Sequence, residues 1–514
     1  MAAKIRIDVQ RGFYPIVYVR GFAATAGERE DTFHDTYYGY AATSVEKRDG
    51  VPPNYLEPLV FEGQLIRFLK EYGYVDAANG GLALAMSNPA NLRQNPTRSL
   101  WISRFYDVDV LSDKVRAIED HAADLRKLVC ETVPGELRKV QGVDLGPNDR
   151  DYKVILVAHS MGGLVSRCLI QNLLPDPKRW IHRLVTIGSP HGGIELSAVP
   201  DLLEELVAGK GNLFGAAIFK EERMRQYLKL PKAAPLNGLD GKFPEGRCLC
   251  LVGSDHDNYN VAKKFTGSHS DGLVKQSNAY IKGAYWANVH RAHSGRRGIV
   301  NSFESYENLR RFLFGDTRVK LWLEDISLKI EPPKAKMTEL YDFEFSLSVR
   351  GTGVYLHQRR QNPCENAMRL KRADLEKDPT LHLHTGFLDA RLRSPNEPRF
   401  SYFLLAFRVA QHRVKEGFLF DTQYPERTIY SESLEARVTL AGQGTAKTAA
   451  VEFRWLSDST DLDAADSWTK AQMTDGAFRI ELRKSDTLSA KLCIRPSGWP
   501  DKTTETAGID AALA

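Results

Sequence analysis

Two textures of hydrophobic spacing divide the chain. Up to about residue 315, short apolar runs alternate with stretches whose apolar residues recur every three or four positions. The runs at 14–19 (YPIVYV), 154–157 (VILV), 181–187 (IHRLVTI) and 247–252 (RCLCLV) read as buried strands, and 100–110 contains another. Helical spacing marks 59–72, 112–129 and 305–314, as well as the segment in which Leu164, Val165, Cys168, Leu169 and Leu173 share one face. Strands alternating with helices predict an α/β fold with a doubly wound, mainly parallel sheet covered on both faces. The stretches 32–53 and 196–244 are long for plain connections and read as a cap or lid.

Around Gly315-Asp316 the period changes to two. In DFEFSLSVR, Phe343, Phe345, Leu347 and Val349 share one face, and similar runs follow at 402–409, 434–440, 451–455, 478–482 and 488–494. Short alternating strands between polar turns predict an antiparallel β-sandwich. The expected layout is a catalytic α/β domain with cap insertions over 1–316, a sandwich over 317–500 and a loosely held tail over 501–514. No internal repeat is evident.

Length and composition support this division without changing it. A chain of 514 residues exceeds what one core usually organises, and 42% hydrophobic with 26% charged residues is ordinary globular composition. A net charge of +5 from 70 basic and 65 acidic residues is near balance, so nucleic acid is not an implied partner. Six cysteines lack metal-ligand spacing and read as reduced thiols. The opening MAAKIRIDVQRGFYP has no apolar core of a signal peptide, and no apolar run is long enough to span a bilayer. The expected location is cytoplasmic, with signal-less export left open; the oligomeric state is open.

The chemistry begins at VILVAHSMGGLVSR, 154–167, which reads as strand, tight turn and helix with Ser160 at the apex. A serine there takes a strained backbone angle, which requires small neighbours two residues away; here they are Ala158 and Gly162. Such a turn lifts a hydroxyl clear of the sheet toward the first N–H groups of the helix. The simpler alternative is a serine that caps the helix.

This stretch resembles the nucleophile elbow of α/β-hydrolase lipases and esterases, G-x-S-x-G, with Ala158 in place of the first glycine. A serine hydroxyl needs a histidine to take its proton and a carboxylate to orient that histidine, and in this fold they follow in the order serine, acid, histidine. SDGLVKQSNAY at 270–280 resembles the segment carrying the catalytic aspartate in bacterial lipases, which favours Asp271; Asp255 and Asp257, just past a strand, are rivals. In NVHRAHSGRRGIVNS, His293 fits the family spacing before the last helix, with His290 as its rival. The resemblance implies two oxyanion-hole donors, the backbone N–H groups of Met161 and Phe22. In Arg20-Gly21-Phe22 an arginine replaces the usual histidine. GSPHGG at 188–193 also recurs in lipases, and His191 there reads as a structural loop residue because it precedes the acid.

The resemblance therefore implies a serine carboxylester hydrolase acting on acyl esters or lipids through an acyl-enzyme on Ser160, without a metal or organic cofactor. A phospholipase, thioesterase or acyltransferase would use the same triad. A non-catalytic lipid- or partner-binding protein on a hydrolase scaffold is the alternative from another class. Lipases with an appended sandwich commonly use it to meet a lipid surface or a partner. Trp322, Tyr355, Phe387 and Phe420 are candidates for such contact, or else fill the sandwich interior.

Overall fold

The computed structural model describes residues 5–6, 12–21, 44–50, 55–61, 63–77, 97–103, 116–139, 143–144, 152–194, 218–257, 269–294, 297–331, 337–415, 422–423, 426–441, 448–458 and 468–500. The chain divides into two compact units, Met1–Trp286 with Arg291–Leu309 and Ala287–His290 with Arg310–Lys502.

A seven-stranded sheet organises the first unit. Its strands are β1 (Ile16–Val19), β2 (Val75–Asp76), β3 (Ser99–Ser103), β4 (Val154–His159), β5 (Ile181–Ile187), β6 (Cys248–Gly253) and β7 (Tyr285–Val289), in the order β7-β6-β5-β4-β1-β3-β2. Every neighbouring pair from β6 to β2 is parallel. The apolar runs explain this, because Val154 to Ala158 in β4 and all of β6 are buried, as strands covered on both faces require. Chain order reverses around β1, which lies between β3 and β4. A crevice opens at such a switch point beyond the strands' carboxyl ends, and Gly21 and Ser160 stand just there, past β1 and β4.

Helices pack on this sheet through the faces their spacing predicts. Helix α1 (Gln64–Tyr72) buries Leu65 and Phe68 and stops at Gly73, whose left-handed φ of 64° lets its N–H reach the Phe68 carbonyl. The helical pattern expected from residue 59 begins only at Gln64, because 59–61 belong to the strand Tyr55–Phe61, paired antiparallel with Ser44–Gly50. That hairpin accounts for 44–50 of the stretch 32–53; the rest of that stretch lies outside the described residues. Helix α2 (Ile118–Lys127) contributes Ile118, Ala122 and Leu125 to the same core as Leu164, Val165 and Cys168 of α3 (Met161–Cys168). Within the second long stretch, 218–244 is part of the core: Met224, Tyr227, Leu228, Leu239 and Phe243 are all buried there. Residues 196–217 lie outside the described residues.

The second unit is an antiparallel β-sandwich of a five-stranded and an eight-stranded sheet. Val319, Leu321, Leu492 and Ile494 of the first sheet meet Phe343, Phe345, Leu405 and Leu434 of the second in one apolar core. The period-two faces read from the sequence are therefore the facing surfaces of the two sheets. The aromatic residues fare differently. Trp322 is buried against Ala477 and Cys493, and Phe387 is buried beside Phe312 and Trp499, so these two rings fill the unit and are not free for a lipid surface. Tyr355 is 40% exposed. Phe420 and the tail 501–514 lie outside the described residues. All six cysteines are free thiols. Among the described residues, no helix is long and apolar enough to cross a membrane.

Candidate active site

The turn after β4 is strained where the sequence requires it to be. Ser160 has φ 52° and ψ −127°, a left-handed conformation that L-residues rarely adopt and that persists only when its surroundings hold it. Its N–H donates to the Ile187 carbonyl at 3.0 Å, and its own carbonyl accepts from Gly163 N–H at 3.0 Å. Two glycines make room for the bend. A Cβ on Gly162 would lie 2.2 Å from the Val19 carbonyl oxygen, and one on Gly21 would lie 2.7 Å from Ser160 Cβ. The end of β1 can approach the Ser160 turn and the start of α3 this closely only because both positions lack a side chain. The Ser160 hydroxyl makes no hydrogen bond to its helix, which removes the capping alternative.

That hydroxyl instead faces His293. Ser160 Oγ is 3.0 Å from His293 Nε2, and His293 Nδ1 is 2.8 Å from Asp271 Oδ2. The three side chains come from three places: the end of β4, the loop after β6 and the loop after β7. All are buried, with Asp271 1% and His293 3% exposed. A buried carboxylate needs donors, and Asp271 Oδ1 accepts the Leu273 and Val274 N–H groups at 3.0 and 2.7 Å. With both oxygens engaged, the carboxylate is fixed toward the imidazole. Its contact favours a proton on Nδ1, leaving Nε2 as an acceptor toward the serine.

The histidine is fastened by its backbone as well. Its N–H donates to the Asp271 carbonyl at 2.8 Å, and its carbonyl lies 3.1 Å from His159 Nε2. The His159 and His293 rings are also in contact, with centroids 5.1 Å apart. Burial, and then the neighbouring His293, push the His159 pKa well below the usual imidazole value, so it stays neutral and can donate from Nε2. His159 was not singled out from the sequence. The available signal was a polar residue closing an otherwise apolar strand directly before the candidate nucleophile.

Arg167 is a second residue that spacing alone did not mark. It is fully buried in α3, a helix with all eight residues buried. Its guanidinium bonds Gln171 Oε1 and the carbonyls of His191, Leu236 and Gly238 at 2.7 to 3.1 Å. It thereby ties 236–238 and the GSPHGG loop to the helix behind Ser160. An arginine inside a helix whose other residues are apolar or small was its only trace in the sequence. His191 lies in that loop with Nε2 2.9 Å from Thr186 Oγ1, a structural position as read.

The other named residues sit as follows. It is Asp271 whose carboxylate meets His293. Asp255 donates its backbone N–H to the Arg291 carbonyl, and the Asp257 side chain is 64% exposed, 3.7 Å from His256. His290 is partly buried at the end of β7. Met161 opens α3 directly after the serine, and Phe22 lies outside the described residues. Among the described residues, no group of three His, Cys, Asp or Glu is disposed to hold a metal ion.

Comparison with known proteins places the elbow within a described family segment. Residues 90–204 match the family model "PGAP1-like alpha/beta domain". No curated protein is significantly similar to the chain. Among solved structures, phospholipase PlaB from Legionella pneumophila is 11% identical, covering 82% of this chain and 91% of its own with a TM-score of 0.30. The lin2722 product of Listeria innocua is 12% identical, covering 58% and 93%, with a TM-score of 0.26. A metagenomic carboxyl esterase is 13% identical, covering 57% and 85%, also with a TM-score of 0.26. These superpositions are loose, and the fold rests on strand order, parallel pairing and the strained elbow. The unit that brings Ser160, Asp271 and His293 together is an α/β-hydrolase domain, and its 90–204 stretch is similar to the PGAP1-like α/β domain.

Proposed function

We propose that the chain is a serine carboxylester hydrolase. The observation that carries this reading is the continuous contact from Asp271 through His293 to the hydroxyl of a strained Ser160. In the proposed reaction Ser160 Oγ attacks the acyl carbonyl carbon while His293 Nε2 takes the hydroxyl proton. Asp271 stabilises the resulting imidazolium without taking the proton itself. As the tetrahedral intermediate collapses, the carbon–oxygen bond to the alcohol breaks and His293 returns its proton to that oxygen. Water then attacks the acyl-enzyme, with His293 as base, to release the acid and the free serine.

The oxyanion is assigned to the Met161 backbone N–H at the start of α3, where helix dipole and free donors favour negative charge. The second donor is assigned to the Phe22 N–H on sequence resemblance. Acyl esters or lipids are the proposed substrates. The test is hydrolysis of a chain-length series of acyl esters and phospholipids by the wild type and Ser160→Ala. The reading predicts turnover by the wild type and loss of nearly all of it in the variant, with folding retained. Equal turnover by both would overturn it.

A further inference from the structure

The eight-stranded sheet of the sandwich carries a recess of about 760 Å³ on the face turned away from its apolar core. Pairing places Ser348, Leu404, Glu435 and Arg454 side by side across four strands, forming its floor. The adjacent row holds Tyr402 and Arg437, with Glu452 as the next cross-strand neighbour. Gly351, Gly353, Glu397 and Trp468 also line the recess. An ordinary solvated sheet face has scattered charges; this one gathers aromatic rings and paired ions in a concavity.

Its arginines are matched by carboxylates. Arg454 bonds Glu435 at 2.6 and 2.8 Å, Arg437 bonds Glu452 at 2.5 Å, and Arg350 faces Glu397 at 3.4 Å. The Tyr402 hydroxyl donates to Glu397 at 2.6 Å. Trp468 is partly buried, with Arg437 and Arg454 at 4.3 and 4.7 Å from its ring and Tyr402 edge-on at 5.8 Å. These contacts hold the planar groups in fixed orientations before anything binds, which lowers the ordering cost of binding.

We propose that this recess binds a neutral, hydroxyl-rich ligand, an oligosaccharide. Charge balance is the first argument. An anion would meet Glu397 and Glu435, and a cation would meet three arginines, so either must disrupt an existing pair. A hydroxyl both donates and accepts, so it can bond adjacent guanidinium and carboxylate groups while leaving the pairs intact. The second argument is preorganisation: with Arg437 and Arg454 held over the Trp468 ring at 4.3 and 4.7 Å, both guanidiniums and their carboxylates offer hydroxyl groups an ordered array of donors and acceptors, which loss of the indole would loosen. This site is independent of the Ser160 chemistry.

The test applies the full-length protein to a glycan array containing neutral, sialylated and sulfated glycans, together with phosphocholine vesicles. The strongest neutral oligosaccharide is then titrated calorimetrically into the wild type, Trp468→Ala and Glu435→Gln, with melting curves to establish folding. The proposal predicts binding of neutral glycans, weakened at least tenfold in both folded variants. Activity on a soluble short-chain ester should remain unchanged. The proposal is overturned by absence of neutral-glycan binding, by binding confined to sialylated or sulfated glycans or vesicles, or by wild-type affinity in either folded variant.

Discussion

Replacing Asp271 with asparagine changes one atom and tests the electrostatic logic of the site. Oδ1 can continue to accept the Leu273 and Val274 N–H groups at 3.0 and 2.7 Å, so the loop keeps its shape. What changes is the atom facing His293 Nδ1, now 2.8 Å from Oδ2. An amide nitrogen there donates, which forces Nδ1 to accept and moves the ring proton to Nε2. Nε2 then points an N–H at Ser160 Oγ, 3.0 Å away, and cannot take the hydroxyl proton. The imidazolium also loses its anionic partner. In a Ser-His-Asp site the same change lowers kcat roughly 10⁴-fold, equivalent to about 5.4 kcal/mol in the barrier. Initial rates on a chromogenic short-chain ester, with a melting curve for each protein, provide the assay. Asp271→Asn should lose at least 10³-fold with little change in Tm, while Asp255→Asn and Asp257→Asn retain most activity. More than a tenth of wild-type turnover in a correctly folded Asp271→Asn protein would refute the reasoning.

Three further expectations follow from specific contacts. His159→Gln keeps an N–H donor for the His293 carbonyl and should retain much of the turnover, whereas His159→Leu should lower kcat at least tenfold with little change in KM; equal rates in both variants would remove the positioning role. Gly162→Ala puts a Cβ 2.2 Å from the Val19 carbonyl oxygen and should cost roughly 2–3 kcal/mol with a marked loss of turnover, measured by denaturant unfolding and ester rates; unchanged stability would mean that the start of α3 need not approach the end of β1 so closely. In the sandwich, burial holds the His384 pKa at about 3, and His384 stacks on buried His357 with ring centroids 4.2 Å apart. Because the unfolded imidazole protonates near pH 6.5 and the folded one does not, this contribution is constant above that pH and stability falls below it, by on the order of a few kcal/mol at pH 4.5. Unfolding free energies of His384→Phe measured from pH 7 to 4.5 should show a correspondingly smaller loss, and an unchanged pH slope would contradict the assignment.

The legible parts of this protein were those dictated by local periodicity. Strands β1, β4 and β6 are nearly continuous apolar runs, β5 is one apart from His182, Arg183 and Thr186, and much of the sandwich alternates, as in Phe343, Phe345, Leu347 and Val349, so burial on two faces or one was visible in the order of residues. The elbow could be read because its strain demands small residues at fixed offsets from Ser160. Strand β2 is only two residues long, and β7 contains Asn288, so neither carries a readable period. Residues 218–244 resembled a lid because their polar residues mask the spacing of Met224, Tyr227, Leu239 and Phe243; what draws this segment into the core includes carbonyl bonds to an arginine about seventy positions away. Asp271 and His293 were accessible through motif order, but the His159 contact joins residues 134 positions apart and has no local signature. For Trp322 and Phe387, alternation could not decide between a lipid-facing ring and a packed one, and packing with Cys493 and with Trp499 decided it.

The central claim is that Ser160 is a nucleophile activated by His293. Reaction of the full-length protein with a fluorophosphonate, followed by intact mass and peptide mapping, tests it without knowledge of the natural substrate. The account predicts one adduct, mapped to Ser160, absent from Ser160→Ala and formed far more slowly by His293→Ala than by His290→Ala. No adduct on the folded wild type, or an adduct on another residue with Ser160 unmodified, would contradict it.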